Sequence, residues 1–196
     1  MFGPPGAGKG TQSNNLVKDF NLFKVSTGEL LRKEINDGTN LGNEIKSTID
    51  KGSLVSDNII NDLIENIILD KKINNRLLFD GYPRNLNQAK NLSKVLNKNN
   101  QKLSCVLSLT VNKDSLIKRV LGRQTCSKCG KIFNEFYEPA TSDNHNCGQK
   151  FLHKRSDDNE KAITNRFETY SRDTLPILDF YKEQNLLHQI NGMAKI

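Results

Sequence analysis

An α/β domain is what this sequence predicts: a parallel sheet flanked by helices, with smaller lobes inserted into it. Three observations carry that expectation. The first is Gly3-Pro4-Pro5-Gly6-Ala7-Gly8-Lys9-Gly10-Thr11, a G-x-x-x-x-G-K loop feeding a helix. The second is Leu77-Leu78-Phe79-Asp80, an apolar run ending in an acid, as a buried parallel strand presents at its carboxyl edge. The third is the succession of short apolar runs and helix-periodic segments along 196 residues, enough for one compact domain with lobes.

Taken in order, the glycine-rich loop lets successive backbone N–H groups turn inward toward phosphate oxygens. The helix from Gly8 to about Phe20 adds its positive end. Lys9 brings a mobile cation, and Thr11, one place later than the usual hydroxyl, can reach a Mg²⁺ ion. Only Met1 and Phe2 precede the loop, where a strand of about five residues is usual, so the chain looks clipped at this end. Phe23-Lys24-Val25 reads as a short strand, and Ser26-Thr27-Gly28-Glu29 as the capped start of a helix. A short helix over Leu41–Ile49 leads through the turn at Gly52 to a longer one from Asp57. There Ile59, Ile60, Leu63, Ile64, Ile67 and Ile68 form a buried stripe at helix spacing.

Beyond Asp80 the loop Gly81-Tyr82-Pro83-Arg84 leads to the next helix. Leu103, Cys105, Leu107, Leu109 and Val111 alternate as a strand, with Cys105 expected to pack as a small hydrophobe. A helix from Asn112 to Arg123 is expected to carry Arg119 and Arg123 on one face. A further helix follows Asn159, another runs from Pro176 to about Gln184, and Leu186–Ile190 is a last strand. Met193–Ile196 looks like the opening of a helix.

The chemistry-bearing residues converge on phosphates. Beside the loop and Asp80 stand six arginines in or near predicted loops, at positions 32, 84, 119, 123, 155 and 166. Guanidinium groups fork onto phosphate oxygens and stack on flat rings. Cys126-Ser127-Lys128-Cys129-Gly130 is a metal-knuckle pattern, with Cys147-Gly148 farther on.

Gly-Lys-Gly-Thr-Gln, Ser26-Thr27-Gly28-Glu29-Leu30-Leu31-Arg32, Asp80-Gly81-Tyr82-Pro83-Arg84 and Arg155-Ser156-Asp157-Asp158 resemble, in order, the hallmarks of the adenylate kinases. The resemblance spans Gly3 to Gly192. It implies a P-loop NTPase-like core at 1–25, 56–121 and 159–196, a monophosphate-binding lobe at 26–55 and a lid at 122–158. It implies an ATP site at Gly6, Ala7, Gly8, Lys9, Gly10, Thr11, Arg119, Arg123, Ile132, Phe133 and Ala194. It implies an AMP site at Thr27, Arg32, Ser53, Leu54, Val55, Gly81, Tyr82, Pro83, Arg84, Gln88, Arg155 and Arg166. Lys9, Arg84, Arg123, Arg155 and Arg166 are then catalytic, Asp80 holds Mg²⁺ through water, and Asp157 and Asp158 pair with arginines on lid closure. The lid resembles the long, zinc-carrying subtype. Cys126, Cys129 and Cys147 are ligands there, but Asn144 stands where the fourth should be, leaving His145 or Asp143 to supply it. The reaction implied is Mg·ATP + AMP giving two ADP, in a monomeric cytoplasmic enzyme that takes small nucleotides and no nucleic acid or membrane.

The remaining features bound the alternatives. The formal charge of +7 and the knuckle suggest a nucleic-acid-binding zinc protein, but that reading leaves the phosphate loop and Asp80–Arg84 unexplained. No apolar run approaches the ~20 residues a membrane span needs. A kinase of other monophosphates is the nearer rival, and Thr27 with Gln88 favours adenine. No Ser–His–acid arrangement supports nucleophilic catalysis.

Overall fold

The computed structural model describes residues 1–73 and 75–194. Helix α1 (Lys9–Phe20) begins at Gly8, whose φ of 92° only glycine adopts readily. Strand β1 (Phe23–Ser26) pairs in parallel with β2 (Leu77–Asp80), Ser26 opposite Asp80. Parallel neighbours need a crossover. Here it consists of α2 (Thr27–Asn36), α3 (Asn40–Asp50) and α4 (Asp57–Ile68). The Ser26 and Thr39 hydroxyls accept from the backbone N–H groups of Glu29 and Gly42, capping α2 and α3.

After β2, α5 (Leu86–Lys98) leads to β3 (Val106–Thr110), which pairs in parallel with the last strand, β7 (Leu187–Asn191). Met1 and Phe2 lie between the two strand pairs. The Met1 amine donates to the Phe79 carbonyl at 2.8 Å. On the other side Phe2 N–H donates to Leu107 O at 2.7 Å, and Leu109 N–H to Phe2 O at 2.9 Å. Two residues thus take the central place in the order β1, β2, Met1–Phe2, β3, β7, and the phosphate loop leaves from there.

Helix α6 (Lys113–Leu121) gives way to a three-stranded antiparallel lobe ordered β5 (Ile132–Asn134), β4 (Arg123–Cys126), β6 (Leu152–His153). Helix α7 (Glu160–Thr169), a π-turn at Tyr170–Thr174 and α8 (Ile177–Glu183) return the chain to β7. One core cluster joins α4 and α5 to β1 and β2 through Val25, Ile64, Ile68, Phe79 and Leu92. A second joins Phe2 and Val106 to Ile177 and Tyr181 of α8. Among the described residues no helix is long and apolar enough to cross a membrane.

Three expectations change. Arg123 is not on α6 with Arg119: the helix stops at Leu121, and Arg123 opens the first strand of the lobe. Cys105 is exposed and precedes the strand. In β3 it is Val106, Ser108 and Leu109 that are buried, because the strand is covered on both faces and the expected alternation has no solvent side to mark. The helical opening read over Met193–Ile196 shows only a turn and a bend at Met193 and Ala194, and its last two residues lie outside the described ones.

Candidate active site

All the carboxyl-side features of the sheet open into one cleft of about 970 Å³. Its floor is the phosphate loop. Among the described residues no side chain caps the first N–H groups of α1, which leaves them for a ligand. Lys9 folds back on the loop, its ammonium donating to the carbonyls of Gly3 (2.7 Å) and Pro4 (3.1 Å). Burial lowers its pKa to about 8, against the pull of Asp80, with Arg84 adding to the lowering. Asp80 is buried at the end of β2. A methyl placed on Gly10 would stand 3.8 Å from its Oδ2, so the carboxylate faces the start of α1 with room between.

Arginines from four segments converge above that floor: Arg32 on α2, Arg84 after β2, Arg123 on β4, and Arg155 just before α7 with Arg166 in its last turn. Their charges crowd one another. Burial, then Arg166 and Arg32, push Arg84 down to about 10. Burial, then Arg123 and Arg32, push Arg155 down to about 9. Burial lowers Arg32 and Arg166 as well. An entering polyanion would relieve the repulsion.

Two acids offset part of it. Arg166 Nη1 donates to Asp157 Oδ2 at 2.9 Å and to Asp158 Oδ1 at 3.4 Å. Arg123 grips Asp158 with two bonds, its Nε at 2.8 Å from Oδ2 and its Nη2 on Oδ1. Burial alone would raise Asp157, but Arg166 and its cationic neighbours hold it below the usual range. Through Asp158 these ion pairs join the lobe strand β4 to α7.

Of the other anticipated residues, Gly6, Ala7, Gly8, Gly10, Thr11, Arg119, Ile132, Phe133 and Ala194 line the cleft, as do Thr27, Ser53, Leu54, Val55, Gly81 and Gln88. Thr27 Oγ1 donates to Gly81 O at 2.9 Å. Gln88 accepts from Arg84 N–H at 2.8 Å and donates to Asp57 at 2.7 Å, which aims the remaining amide hydrogen and lone pair. Tyr82 departs from the set. Its side chain is buried in the core, its hydroxyl donating to Asn61 at 2.9 Å. Pro83 lines a small pocket of about 80 Å³ behind Arg84 and the phosphate loop.

Two contributors were not read from the sequence. Tyr137 enters the cleft in the lobe, with the Arg119 guanidinium 5.7 Å from its ring centre. The only hint was an aromatic in the lobe a few residues beyond Ile132-Phe133. Asp57, which fixes Gln88, read simply as the start of a helix.

The lobe holds a second constellation. Cys126, Cys129, His145 and Cys147 each offer a ligand atom, all within 4.8 Å of one another. His145 is buried, and among the described residues neither ring nitrogen has a hydrogen-bond partner. That orphaned imidazole among three sulfurs suits a tetrahedral metal. Asp143 lies outside the group, its carboxylate accepting from Ser142 at 3.3 Å. The ring of Phe133, which lines the cleft, packs edge-on to His145 with centroids 4.9 Å apart.

Comparison with known proteins accounts for the same arrangement. The adenylate kinase family model matches residues 1–186. The chain is 43% identical over 196 residues to the adenylate kinase of Pelagibacter ubique, covering all of this chain and 92% of that relative. It is 41% identical over 198 residues to that of Methanocella arvoryzae and 39% identical over 198 to that of Alkaliphilus oremlandii, in each case over all of this chain and 91% of the relative. A phosphate loop facing a converging arginine set across one cleft, matched along its whole length by such relatives, establishes that the chain belongs to the adenylate kinase family.

Proposed function

We propose that the cleft performs reversible phosphoryl transfer from Mg·ATP to AMP, giving two ADP by direct in-line displacement. One observation carries the reading: two anion-binding regions, the α1 terminus with Lys9 and the cluster of Arg32, Arg84 and Arg166, share a single cavity. Such a cavity seats a donor triphosphate and an acceptor monophosphate end to end. Phosphoryl transfer asks little acid–base work of a protein and much alignment and charge neutralisation.

In this reading the loop N–H groups and Lys9 hold the donor phosphates, with Lys9 leaving the Gly3 and Pro4 carbonyls to follow the γ-phosphoryl. Arg119 and Tyr137 flank the donor base. Arg32 and Arg84 hold the acceptor phosphate, and Thr27 and Gln88 face its base. Arg123, Arg155 and Arg166 spread the charge that grows on the equatorial oxygens. Asp80, with Thr11, suits an Mg²⁺ ion held through water, which neutralises phosphate charge when bound. Residues 26–55 and 122–158 form lobes that close on acceptor and donor, around a core of 1–25, 56–121 and 159–196. Closure keeps water from the γ-phosphoryl.

Cys126, Cys129, His145 and Cys147 hold a structural zinc, which braces the lobe and takes no part in the reaction. The orphaned His145 nitrogens favour it over Asp143 as fourth ligand. The enzyme is proposed to work as a monomer in the cytoplasm, where its substrates and reduced thiols occur. Initial rates with Mg·ATP against AMP, GMP, UMP and CMP in turn test the assignment. ADP formation confined to AMP is expected. Equal turnover of UMP or CMP would overturn the adenine specificity and leave the fold untouched.

A further inference from the structure

The segment carrying Arg155 and Arg166 touches the opposite lobe directly, and none of the roles above uses the contact. Helix α3 ends at Asp50, and Lys51-Gly52-Ser53 turns the chain toward Leu54 and Val55 in the cleft wall. The Ser156 hydroxyl, beside Arg155, donates to Asp50 Oδ1 at 2.7 Å. The Asn165 amide, beside Arg166, donates to Lys51 O at 2.7 Å and to Ser53 Oγ at 3.2 Å. Gly52 sits flat on α7 between these bonds. A Cβ there would come within 2.6 Å of Ala162 O and 2.8 Å of Arg166 Cγ. Residues 162, 165 and 166 share one helix face, so α7 presents to the turn a carbonyl to pack on and an amide to grip it.

We propose that Ser156 and Asn165 are positioning residues that latch the turn 50–53 to the arginine-bearing segment, so that the acceptor wall and Arg155 with Arg166 are set as one unit. The bonds are short, neutral or singly charged, and lie outside the phosphate cluster. They hold geometry without competing for the anion. The latch bears on the acceptor wall and on these two arginines, not on the donor loop: the turn leads into Ser53–Val55, while the donor loop and Arg119 lie on other elements. The inference rests on the reading of that half as the AMP side.

The test uses the full chain with Ser156→Ala, Asn165→Ala, the double variant, and Ser156→Thr and Asp50→Asn as conservative controls. Ser156 is exposed and Asn165 half-buried, so truncation leaves the core intact. Amide hydrogen exchange without nucleotide is measured first. Gly52 and Ser53 N–H groups donate to Ile49 and Thr48 carbonyls at 2.9 and 3.0 Å, and they report opening of the turn. Each alanine variant is expected to speed exchange there about 2- to 10-fold, the scale of one lost hydrogen bond, with α4 and α5 unchanged. KM for AMP is expected to rise by a similar factor while KM for Mg·ATP stays within about twofold, and threonine at 156 restores both readings. Unchanged exchange in the turn, or KM values for the two nucleotides rising together, would overturn the latch. Wild-type protein that turns over no AMP would instead sink the functional assignment, and the exchange measurement alone would then decide the latch.

Discussion

Replacing Gly52 by alanine separates two costs that glycine hides. Gly52 has φ +73°, and Gly38 has φ +66°, so an alanine at either adopts a left-handed backbone costing about 1 kcal/mol. At Gly38 no atom of the described residues outside the immediate chain neighbours lies within 4 Å of the added methyl. At Gly52 the methyl meets the Ala162 carbonyl oxygen at 2.6 Å, well inside the 3.4 Å where ordinary contact begins. That neighbour is backbone within α7 and cannot rotate away, so overpacking adds roughly 1–3 kcal/mol. Gly38→Ala should therefore lower Tm by about 2–4 °C in a chain of this size, and Gly52→Ala by roughly 4–15 °C if the turn stays docked. If the turn lifts off α7 instead, the thermal loss shrinks and KM for AMP rises, because Ser53–Val55 move with it. Scanning calorimetry on both variants, with initial rates at varied AMP, reads the partition. Equal Tm values for the two variants together with an unchanged KM for AMP would refute the contact between the turn and α7.

Three other outcomes follow from the site. Protein purified from zinc-replete cells should carry one zinc per chain by atomic emission. Asp143→Ala should keep it and His145→Ala lose it. Chelation should lower Tm by about 5–10 °C, taking metal at ~100-fold over Kd as worth about 2.7 kcal/mol. Arg155→Ala should cost about 10²–10³ in kcat with little change in Tm, read by coupled assay, since in the proposed mechanism it removes a donor to the transferring group. Lys9 makes the nucleotide-free protein's stability depend on pH. Its folded pKa is lowered to about 8 from 10.5, so between those values the unfolded chain holds the extra proton and stability rises with pH. Urea unfolding at pH 7.5, 8.5 and 9.5 should show that rise for wild type and a flatter response for Lys9→Met. Parallel responses would place the titration elsewhere.

Much of this site was legible because its chemistry is local. A loop that wraps phosphate needs its glycines and lysine at set spacing. An acid at the end of an apolar run needs only the strand before it. Arg119 and Arg123 show where local reasoning stops. Four residues apart, they read as one helix face, yet α6 ends at Leu121 and the two arginines serve different elements. The alternation around β3 misled for a related reason: a strand covered on both faces has no polar side for periodicity to mark. Tyr82 sits within a hallmark loop but turns inward, where Asn61, distant in the sequence, takes its hydroxyl.

What the sequence by itself determined was the kind of chemistry and the order of the parts: a phosphate loop, a sheet-edge acid, a set of arginines and a cysteine knuckle. Each depends on residue type and on short-range spacing, which the covalent chain carries directly. What only the tertiary structure decided was which groups meet. Asp158 bridges Arg123 and Arg166, His145 joins the three cysteines from a position one residue beyond Asn144, and Ser156 reaches Asp50. Such pairings depend on where a loop comes to rest once its apolar neighbours are buried, and a few ångströms of loop path decide them without any change in the motif.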